Sequence, residues 1–152
     1  MSDSTFVPAI FYRDPRAALA WLEKAFGFET IMVIEPADGD VKMSHYEMSF
    51  AGRGRIMVGA EWADWSKSPD SVQGANTQNL HVSVENDIDA HCERARTAGA
   101  TITSEPEDQF YGDRTYSAVD PEGHVWTFGM HVRDVSREEA EQTSGLKIEG
   151  WT

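Results

Sequence analysis

The stretch DPEGHVWTF, residues 120 to 128, sets two carboxylates, Asp120 and Glu122, just ahead of His124. Carboxylate and imidazole are ligands for divalent metals and the commonest general acids and bases. The stretch is therefore either half of a metal site or a turn leading into an apolar strand. Turn chemistry favours the second reading: Asp opens the segment, Pro takes its second place and Gly closes it. Glu122 is then expected as an exposed turn carboxylate. His124 has the core-facing parity of the strand that follows, where it packs or hydrogen-bonds rather than binding metal.

The other histidines divide by position. In NLHVSV, Leu80, Val82 and Val84 form the apolar set, so Asn79, His81 and Ser83 point to the opposite side. In RIMVGAEW the same rule turns Met57, Gly59 and Glu61 away from Ile56, Val58 and Ala60. His81 with Glu61 would make a His–carboxylate base or a weak metal site, though the further partners a base needs are missing, and the catalytic residues stay unassigned. His45 and Glu47 share a strand face, as alternation commonly arranges. His91 falls mid-helix beside Cys92 and is expected to be exposed, and His131 ends the last strand without an evident partner. Trp62 and Trp65, with Phe110 and Tyr111, form loop aromatics. Such rims stack flat or cationic ligands at roughly 0.5–2 kcal/mol per contact. Covering a sheet edge or building a dimer contact would use the same residues.

Positioning these groups requires rigid elements. Asp14 as cap and Pro15 at the first helical place start PRAALAWLEKAFG, whose Ala18, Leu19, Leu22, Ala25 and Phe26 make one apolar stripe closed by Gly27. Strand candidates FETIMVIE, SHYEMSF and RIMVGAEW follow, with AGRG as a turn. The order then repeats: TQNLHVSV, a helix NDIDAHCERARTAG ending at Gly99, and strands ATITSE, RTYSAV and HVWTFGMHV. The pattern predicts a single α+β domain of two tandem βαβββ units, residues 5–62 and 78–131. A linker spans 63–77, and a polar tail, 132–152, carries a short helix from Ser136. The helices are expected over about 15–26 and 87–98, to roughly ±2–4 residues.

Apolar residues make up 40% and charged residues 26% of the chain, as in ordinary globular proteins. A net charge of −13 argues against nucleic acid and anionic membranes as partners. It would favour a cationic guest, and it equally describes a well-solvated surface. A single cysteine excludes an internal disulfide and a Cys-rich zinc site. No secretory pattern or membrane-length apolar run is present, so the cytoplasm is the expected compartment.

The paired units, the opening FYRDPRAALAWLEKAFGFE and the close YGDRTYSAVDPEGHVWTF resemble the vicinal oxygen chelate superfamily, over roughly residues 5 to 131. That group includes glyoxalase I, extradiol dioxygenases, fosfomycin-resistance enzymes and bleomycin-resistance proteins. The resemblance implies curved, mostly antiparallel sheets whose concave faces form the ligand cleft, with the helices outside. Its metal enzymes take one His, Gln or Glu from each of four cleft positions, which here correspond to Val7, Met57, Asn79 and Thr127. Two of these are apolar and two are poor ligands beside imidazole or carboxylate. No metal and no cofactor is therefore expected, as in the bleomycin-resistance branch. The predicted function is the binding of a small molecule, cationic or aromatic, with drug sequestration as one form. Its site would comprise Val7, Phe11, Met57, Glu61, Trp62, Trp65, Asn79, His81, Tyr111 and Thr127, with Phe6, Trp62 and Trp151 at a homodimer contact. The alternative is a metal-dependent lyase, isomerase or dioxygenase using a non-standard site around Glu61 and His81.

Overall fold

A computed structural model describes residues 4–152. Asp14 accepts a hydrogen bond from Ala17 N at 3.0 Å, which starts helix α1, Pro15–Phe26, and Gly27 at φ 83° ends it. Both ends are where the capping residues predict them, because each satisfies backbone groups the helix leaves unpaired. Around α1 lie strands β1 (Ala9–Tyr12), β2 (Phe28–Ile34), β3 (His45–Phe50) and β4 (Gly54–Ala60). They form one sheet in the order β1-β4-β3-β2, with β1 parallel to β4 and the other pairs antiparallel. The second unit repeats this with β5 (Leu80–Ser83), α2 (Ile88–Thr97), β6 (Thr101–Asp108), β7 (Asp113–Val119) and β8 (Val125–His131), ordered β5-β8-β7-β6. The α+β fold of two βαβββ units is thus present. Helix α3, Arg137–Ser144, forms in the tail, capped by Ser136. Among the described residues, no helix is long and apolar enough to cross a membrane.

The helix-facing sides of the two sheets share one core. Phe26, at the end of α1, lies 4.7 Å from the Phe128 ring and 5.4 Å from Trp126 in the other unit. Phe28 lies 5.5 Å from Trp126. All four side chains are buried, and burying one such ring stabilises by roughly 1.5–3 kcal/mol. Polar bonds cross the same seam. Arg94 on α2 donates to the Lys24 and Glu23 carbonyls at the last turn of α1, both at 2.9 Å.

His91 is the main departure from the sequence reading in this region. It is not exposed: its ring bonds the Phe26 carbonyl at 2.8 Å and the Tyr116 hydroxyl at 2.6 Å, and it stacks on Phe26. It flanks the buried stripe Ile88, Cys92, Ala95. A flank counts as surface for an isolated helix and as interior once a second unit packs there.

Asp120 and Glu122 also acquire structural roles. Asp120 is buried, and its Oδ1 accepts the Glu122 and His124 N–H groups, each at 3.0 Å, which makes the turn. Its Oδ2 accepts from the Tyr12 hydroxyl at 2.7 Å and Trp126 Nε1 at 3.2 Å, tying β1 to β8. Glu122 is not a free turn carboxylate. It is half-buried and accepts from the backbone N–H of Arg13 at 2.6 Å and Asp14 at 3.0 Å, at the entry to α1 where negative charge is favourable. His124 bonds the Phe11 carbonyl at 2.8 Å.

Candidate functional site

With Ile10, Tyr12, Ile56, Val58, Trp126 and Phe128 in the shared core, alternation leaves each sheet one face directed away from the helices. On the second sheet this face is polar. Asn79 Nδ2 donates to Thr127 Oγ1 at 3.0 Å, and Thr127 meets Ser117 Oγ at 3.3 Å, so the residue leading into β5 joins β8 and β7 in one hydrogen-bonded row. His81 stands beside it with its ring over Gly129. A Cβ at that glycine would lie 2.6 Å from His81 Nε2, so a side chain there would push the His81 ring aside.

The open face of the first sheet mixes apolar residues with a charged centre. Met57 lies opposite Ala9 and Phe11 opposite Gly59. Phe11 makes an edge contact with Trp65 at 5.6 Å, and Trp65 another with Trp62 at 5.2 Å. The two indoles are largely exposed, at 68% and 55%. Val7 precedes β1 and is half-buried. At the centre sits a charged group whose pairing the sequence reading left aside. Glu47 is 8% exposed, its Oε1 is 3.2 Å from His45 Nε2, and its Oε2 is 3.3 Å from Arg55 Nη1.

Several expected members come together and others do not. Phe11, Trp65 and Asn79 line one groove of about 300 Å³. Tyr111 packs on Phe110 at 5.2 Å in the loop before β7, whereas Trp62 and Trp65 pair beside the other sheet. Glu61 and His81 do not form a pair either. The Glu61 carboxylate accepts from Ser68 N at 2.8 Å and Ser71 Oγ at 3.1 Å, folding the linker back on β4. Burial opposes its ionisation, but those two bonds together with the charges of Lys67 and Arg13 outweigh it and lower its pKa from the usual value. His131 has partners after all, Asp113 at 3.2 Å and Asp134 at 2.8 Å. Trp151 donates to the Val135 carbonyl at 2.9 Å, so its polar edge is held within its own tail.

Among the described residues, Cys92, Glu93 and Glu105 are the one set of three ionisable ligands close enough to share a cation. Burial pushes the Cys92 thiol up to about 11, and Arg96 already binds Glu105 at 2.6 Å. A buried, protonated thiol beside a neutralised carboxylate is a poor metal donor set.

Comparison with known proteins accounts for the duplicated architecture. Residues 6–128 match the model of the Glyoxalase/Bleomycin resistance protein/Dioxygenase superfamily. An uncharacterized protein of Mycobacterium tuberculosis is 30% identical over 147 residues, 94% of this chain and 84% of that one. The crystal structure of TioX from Micromonospora sp. ML1 is 31% identical with a TM-score of 0.63, covering 86% of this chain and all of that one. The fosfomycin resistance protein FosX from Listeria monocytogenes, solved with Mn(II) and sulfate, is 17% identical at a TM-score of 0.62 over 95% of this chain and 99% of that chain, a likeness of fold alone. The tandem βαβββ units, their order of strands and the match over most of the chain place this protein in the glyoxalase/bleomycin-resistance/dioxygenase superfamily.

Proposed function

We propose that this protein binds a small molecule without a metal ion, in a cleft made by two copies of the chain. The observation that carries this reading is the chemistry of the four positions at which relatives hold a metal. Val7 and Met57 offer no donor for a hard cation, and the neutral amide of Asn79 and the hydroxyl of Thr127, already bonded to each other through the amide N–H, are weak ligands beside imidazole or carboxylate. A superfamily metal does not fit this set. What remains is one polar row and a partly apolar face with an aromatic rim, the combination by which pockets orient a ligand and supply its affinity.

A homodimer is supported by the helix sides of both sheets being used up in the common core, which leaves each open face without a partner in its own chain except along the groove beside β1 and β5. The partly apolar face of one copy placed on the polar face of another, about a two-fold axis, would complete two identical clefts. It would also cover Trp62, Met32 and Ile34, all exposed in the single chain. The Glu61–His81 enzyme has no comparable support, since Glu61 is committed to Ser68 and Ser71. Drug sequestration is one form such binding would take.

A thermal-shift screen of cationic, aromatic and neutral compounds, with and without added Zn, Ni, Mn and Fe, tests the reading. Compounds that raise the melting temperature equally in both series support it. Stabilisation or turnover that appears only with a metal would overturn it.

A further inference from the structure

At the end of the sheets away from Trp65 lies a second groove, of about 430 Å³, between the β3–β4 turn and β5. Its apolar surface comes from both units, including Phe28, Ile56 and Leu80. Its ionisable lining residues are Arg53, Arg55 and His81, with no carboxylate among them. The chain has 26 acidic residues and 13 Lys and Arg, so a groove lined by basic groups alone runs against the charge of the whole molecule.

Both arginines are held in place from outside the groove. Arg55 Nη1 is bound by the largely buried Glu47, whose other oxygen holds His45. Arg53 Nη1 is bound at 3.0 Å by Glu85, just beyond β5, and this ion pair ties the two walls together. Each guanidinium has five N–H donors in a fixed fork, so one contact to a carboxylate leaves others for a ligand. Apolar walls with anchored guanidinium groups at the rim match a small amphiphilic anion, with a hydrocarbon or aryl body in the groove and a terminal carboxylate on the arginines. We infer that this groove is a binding site for amphiphilic organic monoanions, adjoining the cleft proposed above and sharing with it His81 and the sheet face that carries Arg55. It does not rest on that proposal, and its charge preference is opposite to the one the net charge suggests.

The probe is decanoate, with decanol and decylammonium as uncharged and cationic controls of equal chain length. Each is titrated by calorimetry into the native protein, alongside Arg55→Gln, Arg53→Gln and, as a distant control of equal charge change, Arg133→Gln. Loss of a charge-assisted contact is worth about ten-fold or more in affinity. The expected result is decanoate binding at least ten-fold tighter than either control. Arg55→Gln and Arg53→Gln should each lose about ten-fold while remaining folded at the titration temperature, Arg55→Gln with a lowered melting temperature because Glu47 loses its cation, and Arg133→Gln should bind as the native protein does. Equal binding of the three probes would overturn the inference, as would unchanged binding in both groove variants. If decanoate binding weakens as protein concentration rises into the dimer range, the groove belongs to a second copy of the chain and the inference fails.

Discussion

Asp120→Asn removes one charge from the joint between the two units while keeping its shape, and the geometry fixes what that should cost. The amide oxygen is retained where the Glu122 and His124 N–H groups need an acceptor, because turning it away would leave both unpaired. The NH2 group then replaces Oδ2, which accepts from the Tyr12 hydroxyl and from Trp126 Nε1. The hydroxyl can rotate to accept instead of donate, but the indole N–H cannot. Trp126 is 1% exposed, so its N–H is left buried without a partner, at about 1–3 kcal/mol. Losing the charge assistance at Tyr12 adds about 1 kcal/mol, for a total of roughly 2–4 kcal/mol. For a chain of this size that lowers the melting temperature by roughly 5–15 °C. Equilibrium urea unfolding measures the change, and a double-mutant cycle with Trp126→Phe locates it. In the Trp126→Phe background, Asp120→Asn should cost about 1–3 kcal/mol less, because no indole donor remains to be orphaned. A loss below about 0.5 kcal/mol, the range of ordinary surface changes, or an absence of coupling would refute the reasoning.

Three further outcomes follow from neighbouring geometry. Burial lowers the pKa of His91, so the folded protein favours the neutral ring, whose stabilisation is present above the unfolded value of about 6.5 and lost as pH falls toward the lower folded value. Urea midpoints from pH 8 to 5 should therefore fall less steeply for His91→Gln than for the native protein, and identical slopes would contradict this. At Gly112, φ is +102° and an added Cβ would lie 2.2 Å from the Arg133 carbonyl. Gly112→Ala should cost about 2 kcal/mol or more and expose the tail to limited proteolysis earlier than in the native chain. Gly129→Ala meets only the movable end of His81, so unfolding free energy should stay within about 1 kcal/mol of native, while a ligand found by the screen loses affinity as it does with His81→Ala.

The elements were legible in the sequence because their signals are local. Asp14, Pro15 and Gly27 mark the ends of α1 by the backbone groups they satisfy, and Ser136 does the same for α3. Strand parity likewise placed Asn79 and Thr127 together on one face, where they hydrogen-bond. What the sequence did not reveal depends on how the two units pack. His91 reads as surface on an isolated helix and becomes the link between Phe26 and Tyr116 only when the helix sides merge. Glu122 reads as a turn residue until the start of α1 arrives beside it, and Glu61 reads as a cleft carboxylate until the linker folds back. The Glu47–Arg55 pair was within reach, since one antiparallel hairpin brings them to one face, but only its buried position separates it from an ordinary surface pair.

The central claim, a ligand cleft completed by a second copy, is tested most directly by mixing two inactive chains. Phe11→Asp disables the partly apolar face and Thr127→Arg the polar face, each alone abolishing binding of the compound found by thermal shift. If each cleft takes one face from each copy, co-refolding the two variants yields mixed dimers in half of the population, with one intact site of two. Binding capacity should then return to about one quarter of the native value. A mixture that binds no more than either variant alone would show that each cleft is built within a single chain, and would contradict the account.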